Sequence, residues 1–214
     1  MRLHEGEPTL AAGAPLAEAH AAVVALHGRG ASAEEILGFL VGELGGEESV
    51  AYLAPQARHA TWYPRSFLAP FAENEPWLGS ALARVGEVVG TAERAGLGAE
   101  RIVVFGFSQG ACLASEFVAR HPRRYGALVA ATGGRIGPPG TRFDAAGDLA
   151  ATPIHLAAGD PDPHVPWRRV EETAECFRAM RGAVTVVRAP GFPHAVHPEA
   201  IAFARERLAE LVAG

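Results

Sequence analysis

Arg101-Ile102-Val103-Val104-Phe105-Gly106-Phe107-Ser108-Gln109-Gly110-Ala111-Cys112-Leu113-Ala114-Ser115-Glu116-Phe117-Val118-Ala119-Arg120 is the stretch that decides the fold. Its opening, residues 101–105, is apolar and β-branched and predicts a buried parallel strand. Its close, from Ala111, is a run of good helix formers that must stop where His121-Pro122 forbids continuation. Between them Gly106-Phe107-Ser108-Gln109-Gly110 is a G-x-S-x-G squeezed between strand and helix. There a serine sits on a strained turn, the glycines leave it room, and the helix points its positive end at developing negative charge. Such pentapeptides arise by chance in a glycine-rich chain. The flanking strand and helix are what make Ser108 a candidate nucleophile rather than part of a structural turn.

Outward from the elbow, strand-like and helix-like segments alternate. Ala22-Val23-Val24-Ala25-Leu26 predicts a buried strand that ends at His27-Gly28-Arg29-Gly30. Ser32 caps a helix with Glu34 and Glu35 in its first turn and Ile36, Leu37, Leu40, Val41 and Leu44 on its apolar side. Ser49 to Leu53 is a strand, and Pro76 opens a helix that ends near Gly96 and Gly98. Beyond the elbow come strands at Ala127–Ala131, Pro153–Ala157 and Val184–Val187, a helix from Pro166 to Met180, and a closing helix from Glu199 to Leu211. Helices between parallel strands imply an α/β fold with a covered, right-handed parallel sheet, whose ligands bind beyond the carboxyl ends of the strands. The polar residues His27 to Gly30, Ser108, Asp160-Pro161-Asp162 and His194 all follow strands. Two irregular stretches interrupt the alternation. Pro55–Glu75 holds Trp62, Tyr63, Phe67 and Phe71, and either lines an acyl pocket or forms a satellite cluster over the sheet edge. Gly133–Ala150 is rich in glycine and proline and gives no reading.

The whole chain, 214 residues, fits a single domain with a sizeable core. Hydrophobic residues are 49% and charged residues 20%, which is globular, and a net charge of −5 without a dense basic tract excludes nucleic acid as a principal partner. Cys112 and Cys176 are too few for a disulfide framework and are expected as buried free thiols in a reducing, cytoplasmic setting. Cys112, four residues past Ser108, is expected to face the core, away from the hydroxyl. The N-terminal eight residues lack the apolar run of a secretory signal, and no stretch approaches the roughly 20 apolar residues that span a bilayer.

A serine hydroxyl needs a base to take its proton and an acid to orient that base. In this topology the order is serine, acid, histidine. The chain supplies Ser108, then Asp160 or Asp162, then His194 or His197. Asp160, Asp162 and His164 could instead be read as metal ligands, although a nucleophile between matching strand and helix explains more residues. The oxyanion expected in acyl transfer needs two donors: the backbone N–H of Gln109, and one from the loop after the first buried strand, for which Arg29 is the candidate. His27 is expected to brace that loop.

Leu26-His27-Gly28-Arg29-Gly30, Gly106-Phe107-Ser108-Gln109-Gly110, Gly159-Asp160-Pro161-Asp162-Pro163-His164-Val165-Pro166 and Gly191-Phe192-Pro193-His194, in this order, resemble the phospholipase/carboxylesterase family of α/β-hydrolases. That family includes bacterial carboxylesterases and acyl-protein thioesterases. The resemblance runs from about Val23 to the end. It implies a minimally lidded α/β-hydrolase fold and hydrolysis of esters, and of thioesters, with no metal or organic cofactor. It places the nucleophile on Ser108, the acid on Asp162, the base on His194, and the oxyanion donors on Arg29 and Gln109. The implied partner is a small-molecule ester or thioester, with room for a homodimer and none for stable membrane insertion. The thioesterases carry a hydrophobic residue where this chain has Arg29 and a histidine where it has Ala158, and Arg29 at the mouth weighs against a long acyl chain. A dienelactone-type or peptide-cleaving hydrolase, or a ligand-binding protein on the same scaffold, are the alternatives.

Overall fold

In a computed structural model that describes residues 3–45 and 48–214, the apolar runs assemble into one seven-stranded sheet. Met1 and Arg2 of the N-terminal segment, and Gly46 and Glu47, lie outside the described residues. The strands are β1 (Thr9–Gly13), β2 (Ala21–Leu26), β3 (Val50–Pro55), β4 (Ile102–Phe107), β5 (Ala127–Ala131), β6 (Pro153–Asp160) and β7 (Ala183–Pro190). Their order across the sheet is β1-β3-β2-β4-β5-β6-β7, with β1 antiparallel and every other pairing parallel. β4, which feeds the elbow, is therefore central. β1 has no counterpart in the sequence reading. It is a short, small-residue edge strand defined by its pairing with β3. β6 and β7 each run three residues past their predicted ends, towards the site.

The helices are α1 (Ala33–Leu44), α2 (Phe71–Asn74), α3 (Trp77–Arg94), α4 (Gln109–Arg120), α5 (Trp167–Ala179) and α6 (Pro198–Ala213). Alternation along the strands splits the core in two. Val24, Leu26, Val104 and Leu128 pack with residues of α3, α4 and α5, whereas Val23, Ala25, Val103, Phe105 and Val129 pack with α1 and α6. Covering both faces buries β2 and β5 completely, and each fully buried valine or leucine contributes about 1.5–3 kcal/mol. α1 begins with a capping box, Ser32 Oγ accepting from Glu35 N–H at 3.2 Å and Glu35 Oε2 accepting from Ser32 N–H at 2.7 Å. Among the described residues, no helix is long and apolar enough to cross a membrane.

The two irregular stretches are held by specific contacts. Trp62 and Tyr63 are buried in the main core, and Phe67 packs with them, so the aromatic loop is part of the core rather than a satellite. The Gly/Pro-rich stretch hangs on two buried arginines. Arg135 forms a two-pronged pair with Glu116 of α4, at 3.1 and 3.2 Å. Arg169 of α5 donates to the carbonyls of Arg135, Gly137 and Pro138 at 2.9, 2.7 and 3.1 Å. Phe143 lies under both guanidiniums, with ring centroids 4.7 and 5.1 Å away.

Among the described residues three histidines, His4, His27 and His155, are buried. Burial lowers the pKa of His4 and His27, and pulls His155, in β6 against the Phe203 ring, from 6.5 to about 4. The unfolded chain binds protons near pH 6.5 that the fold refuses, so stability is lost as pH falls from 6.5 towards 4. The midpoint of thermal unfolding, followed by circular dichroism, should drop by several degrees between neutral and mildly acidic buffer. His155→Leu should flatten that slope, and an unchanged slope would remove His155 as its source.

Candidate active site

The turn between β4 and α4 places Ser108 at φ 52° and ψ −116°, a conformation that costs a non-glycine residue about 1–3 kcal/mol. The turn is clamped on both sides. Ser108 N–H donates to Ala131 O at 3.0 Å, and its carbonyl accepts from Cys112 N–H at 3.0 Å. The flanking glycines are steric necessities, because a Cβ on Gly106 would stand 2.3 Å from Gly110 O, and one on Gly110 would stand 2.1 Å from Leu26 O. The backbone of α4 thereby packs directly against the end of β2.

Ser108, Asp162 and His194 come together. His194 Nε2 is 2.9 Å from Ser108 Oγ, and His194 Nδ1 is 2.8 Å from Asp162 Oδ2. The Asp162 side chain is fully buried, yet its pKa is lowered. Burial opposes ionisation, but N–H donation from His164 and Val165, each at 2.8 Å to Oδ1, and the imidazole together outweigh it. Asp162 is thus a carboxylate at neutral pH and fixes the imidazole with Nδ1 as donor, leaving Nε2 free to accept from the hydroxyl. Thr132 Oγ1 donates to Ala195 O at 2.9 Å, tying the end of β5 to the histidine loop.

The other candidate residues fall as follows. Aspartates in turns commonly bond the backbone, and here Asp162 does so, whereas the Asp160 carboxylate pairs with Arg188 of β7. His197 is the N-cap of α6, accepting from Glu199 N–H at 3.3 Å, with its ring against Phe192. Cys112 is buried as expected but lines the same cavity as Ser108, since four residues is little more than one helical turn. Burial pushes its thiol up to about 12, so it stays protonated and unreactive. Asp160, Asp162 and His164 do not converge, and among the described residues no group of three or more His, Cys, Asp or Glu side chains is placed to hold a metal.

The loop at Gly28–Gly30 is zipped to the aromatic stretch. Gly30 N–H donates to Ala60 O at 2.7 Å, and Trp62 Nε1 to His27 O at 2.9 Å. The Arg29 guanidinium donates to the carbonyls of Tyr63, Pro64 and Arg65 at 2.9, 2.9 and 2.7 Å. His27 is buried, with Nδ1 2.7 Å from Gly28 O and Nε2 accepting from Ala57 N–H at 3.1 Å. The Gln109 side chain closes the zip, with Oε1 accepting from Trp62 N–H at 3.0 Å and Nε2 donating to Tyr63 O at 2.8 Å. Nothing in the local sequence distinguishes this glutamine from a surface residue of a first helical turn. Its backbone N–H, the first of α4, has no carbonyl one turn earlier to bond. Arranged this way, the site can deprotonate a hydroxyl, hold the resulting imidazolium against a carboxylate, and offer backbone donors to an oxyanion.

Residues 10–212 match the model of the phospholipase/carboxylesterase family. The solved structure of a phospholipase/carboxylesterase from Dyadobacter fermentans is 41% identical, with a TM-score of 0.88 over 95% of this chain and 97% of that one. The Bacillus cereus carboxylesterase shares the fold at 18% identity and a TM-score of 0.75, over 97% of this chain and 95% of its own. No curated protein sequence matches the chain.

Gln109→Ala would strand the Trp62 N–H without its acceptor and should lower stability by about 1–3 kcal/mol. A shift of the urea midpoint measures this. An unshifted midpoint would show that the glutamine does not hold the loop.

Proposed function

The chain belongs to the phospholipase/carboxylesterase family of α/β-hydrolases, and from that membership we propose that it hydrolyses carboxylic esters, and thioesters of similar shape, through an acyl-enzyme on Ser108. The observation that carries the reading is the unbroken hydrogen-bonded line from Asp162 through His194 to Ser108, at 2.8 and 2.9 Å. In the proposed cycle Ser108 Oγ attacks the acyl carbon as its proton passes to His194 Nε2. The backbone N–H groups of Arg29 and Gln109 receive the negative charge on the carbonyl oxygen. His194 returns the proton to the departing alcohol or thiol. Water then attacks the acyl-enzyme with the same base, releasing the acid and restoring the hydroxyl. The strained turn at Ser108 supports the reading, because such strain persists where a side chain must be presented in one direction. No step calls on a metal or organic cofactor, and the buried free cysteines suit a reducing compartment.

Ser108→Ala should lower kcat/KM for p-nitrophenyl acetate by on the order of 10⁴ or more while the far-ultraviolet circular dichroism is kept. Asp162→Asn should cost on the order of 10⁴, by offering His194 the wrong hydrogen-bond partner. Asp160→Asn removes only a half-exposed ion pair and should retain most activity, with a stability loss of about 1 kcal/mol or less. A folded Ser108→Ala protein that still turns over ester would sink the serine mechanism. The reverse order of the two aspartates would move the acid to Asp160.

A further inference from the structure

Two cavities meet at His194 and differ in the charges that line them. The first, about 550 Å³, is lined by Ser108 and Gln109 together with Arg29, Arg65 and His164, and no aspartate or glutamate is among its lining residues. The second, about 480 Å³, runs along α1 and is lined by Ile36, Phe39, Phe107 and Val196. Phe39, at 39% exposure, is one of two large apolar side chains exposed among the described residues, and it is explained if an apolar group covers it. Glu35 is the one acidic residue lining the second cavity, no lysine or arginine lines it, and the Glu35 carboxylate is engaged in the capping box on Ser32.

Resting on the ester-hydrolase reading above, we propose that the substrate is a half-ester of a short dicarboxylic acid: its free carboxylate is received between Arg29 and Arg65, and its apolar alcohol lies along α1 over Phe39. The arms are assigned by the chemistry of the two steps. The acyl group remains bonded to Ser108 Oγ until water releases it, so it occupies the cavity that Ser108 lines. The alcohol departs with the proton from His194 Nε2, and the second cavity touches His194 without touching Ser108. Among the described residues, neither the Arg29 nor the Arg65 guanidinium has a carboxylate partner. Both arginines line a cavity that has no acidic residue in its wall, so an anion entering it meets uncompensated positive charge. Arg29 is already fixed by its three backbone carbonyls and loses little freedom on binding. Glu35 disfavours the reverse orientation, since it would face a carboxylate in the second cavity.

The test compares kcat/KM for monobutyl succinate with that for butyl isocaproate, in which an isopropyl group replaces the carboxylate, and for the pentanoyl ester of γ-hydroxybutyrate, which carries the charge on the alcohol. The expected order puts monobutyl succinate first by at least about tenfold. That ratio should shrink in about 0.5 M sodium chloride and reverse in Arg65→Glu. Equal or faster turnover of butyl isocaproate overturns this inference and leaves ester hydrolysis standing. Preference for the γ-hydroxybutyrate ester overturns the assignment of the arms. Failure to turn over any of the three, or p-nitrophenyl acetate, overturns the hydrolase reading and this inference together.

Discussion

Ser108 stands where a β-strand becomes a helix with no residue to spare, and its backbone at φ 52°, ψ −116° is the constraint on which the rest of the site is built. The strain is held from three directions: the ladder of β4 behind it, the Ala131 carbonyl beside it, and the first turn of α4 ahead. Relaxing it would need those bonds to break together, so the hydroxyl has a fixed address. Asp162, buried and ionised, orients the imidazole from β6's side, and the bond from Thr132 to Ala195 keeps the histidine loop in register with β5. Three strand ends thus supply three parts of one hydrogen-bonded line.

Electrostatics follow from that placement. The carboxylate of Asp162 faces His194 and two backbone N–H groups and is not among the residues that line the larger cavity. Arg29 and Arg65 line that cavity with no acidic residue beside them in its wall. The net charge of the chain is −5, so this pair of arginines is a local feature that the overall composition does not announce.

Much of the architecture was legible from periodicity. Continuous apolar runs marked β2, β4 and β5 because both faces of a central parallel strand are covered, and His121-Pro122 marked the end of α4. β1 was not legible, since Thr9–Gly13 is a half-exposed edge strand whose identity lies in its pairing with β3. The order of Ser108, the aspartates and the histidines could be read, but Asp160 and Asp162 each precede a proline and look alike locally. Register separates them: Arg188 sits opposite Ala158, diagonal to Asp160 and on the same face of the sheet, and captures it. The anchors of the Gly/Pro-rich stretch were hidden for a similar reason. Glu116, Arg135 and Arg169 are far apart in sequence, and each alone reads as a surface charge.

Gln109 couples two properties that protein engineers treat as separate. Its main chain lies next to Ser108 at the start of α4, while its side chain carries the wall formed by Trp62 and Tyr63. A loop transplanted from another hydrolase to change selectivity would have to present a matching N–H and carbonyl to this one amide, or displace the first turn of α4 along with the wall. Libraries that vary residues 64–66 and spare 61–63 and the buried Phe67 reshape the cavity without touching that joint, so the loop divides into a part open to diversification and a part closed to it.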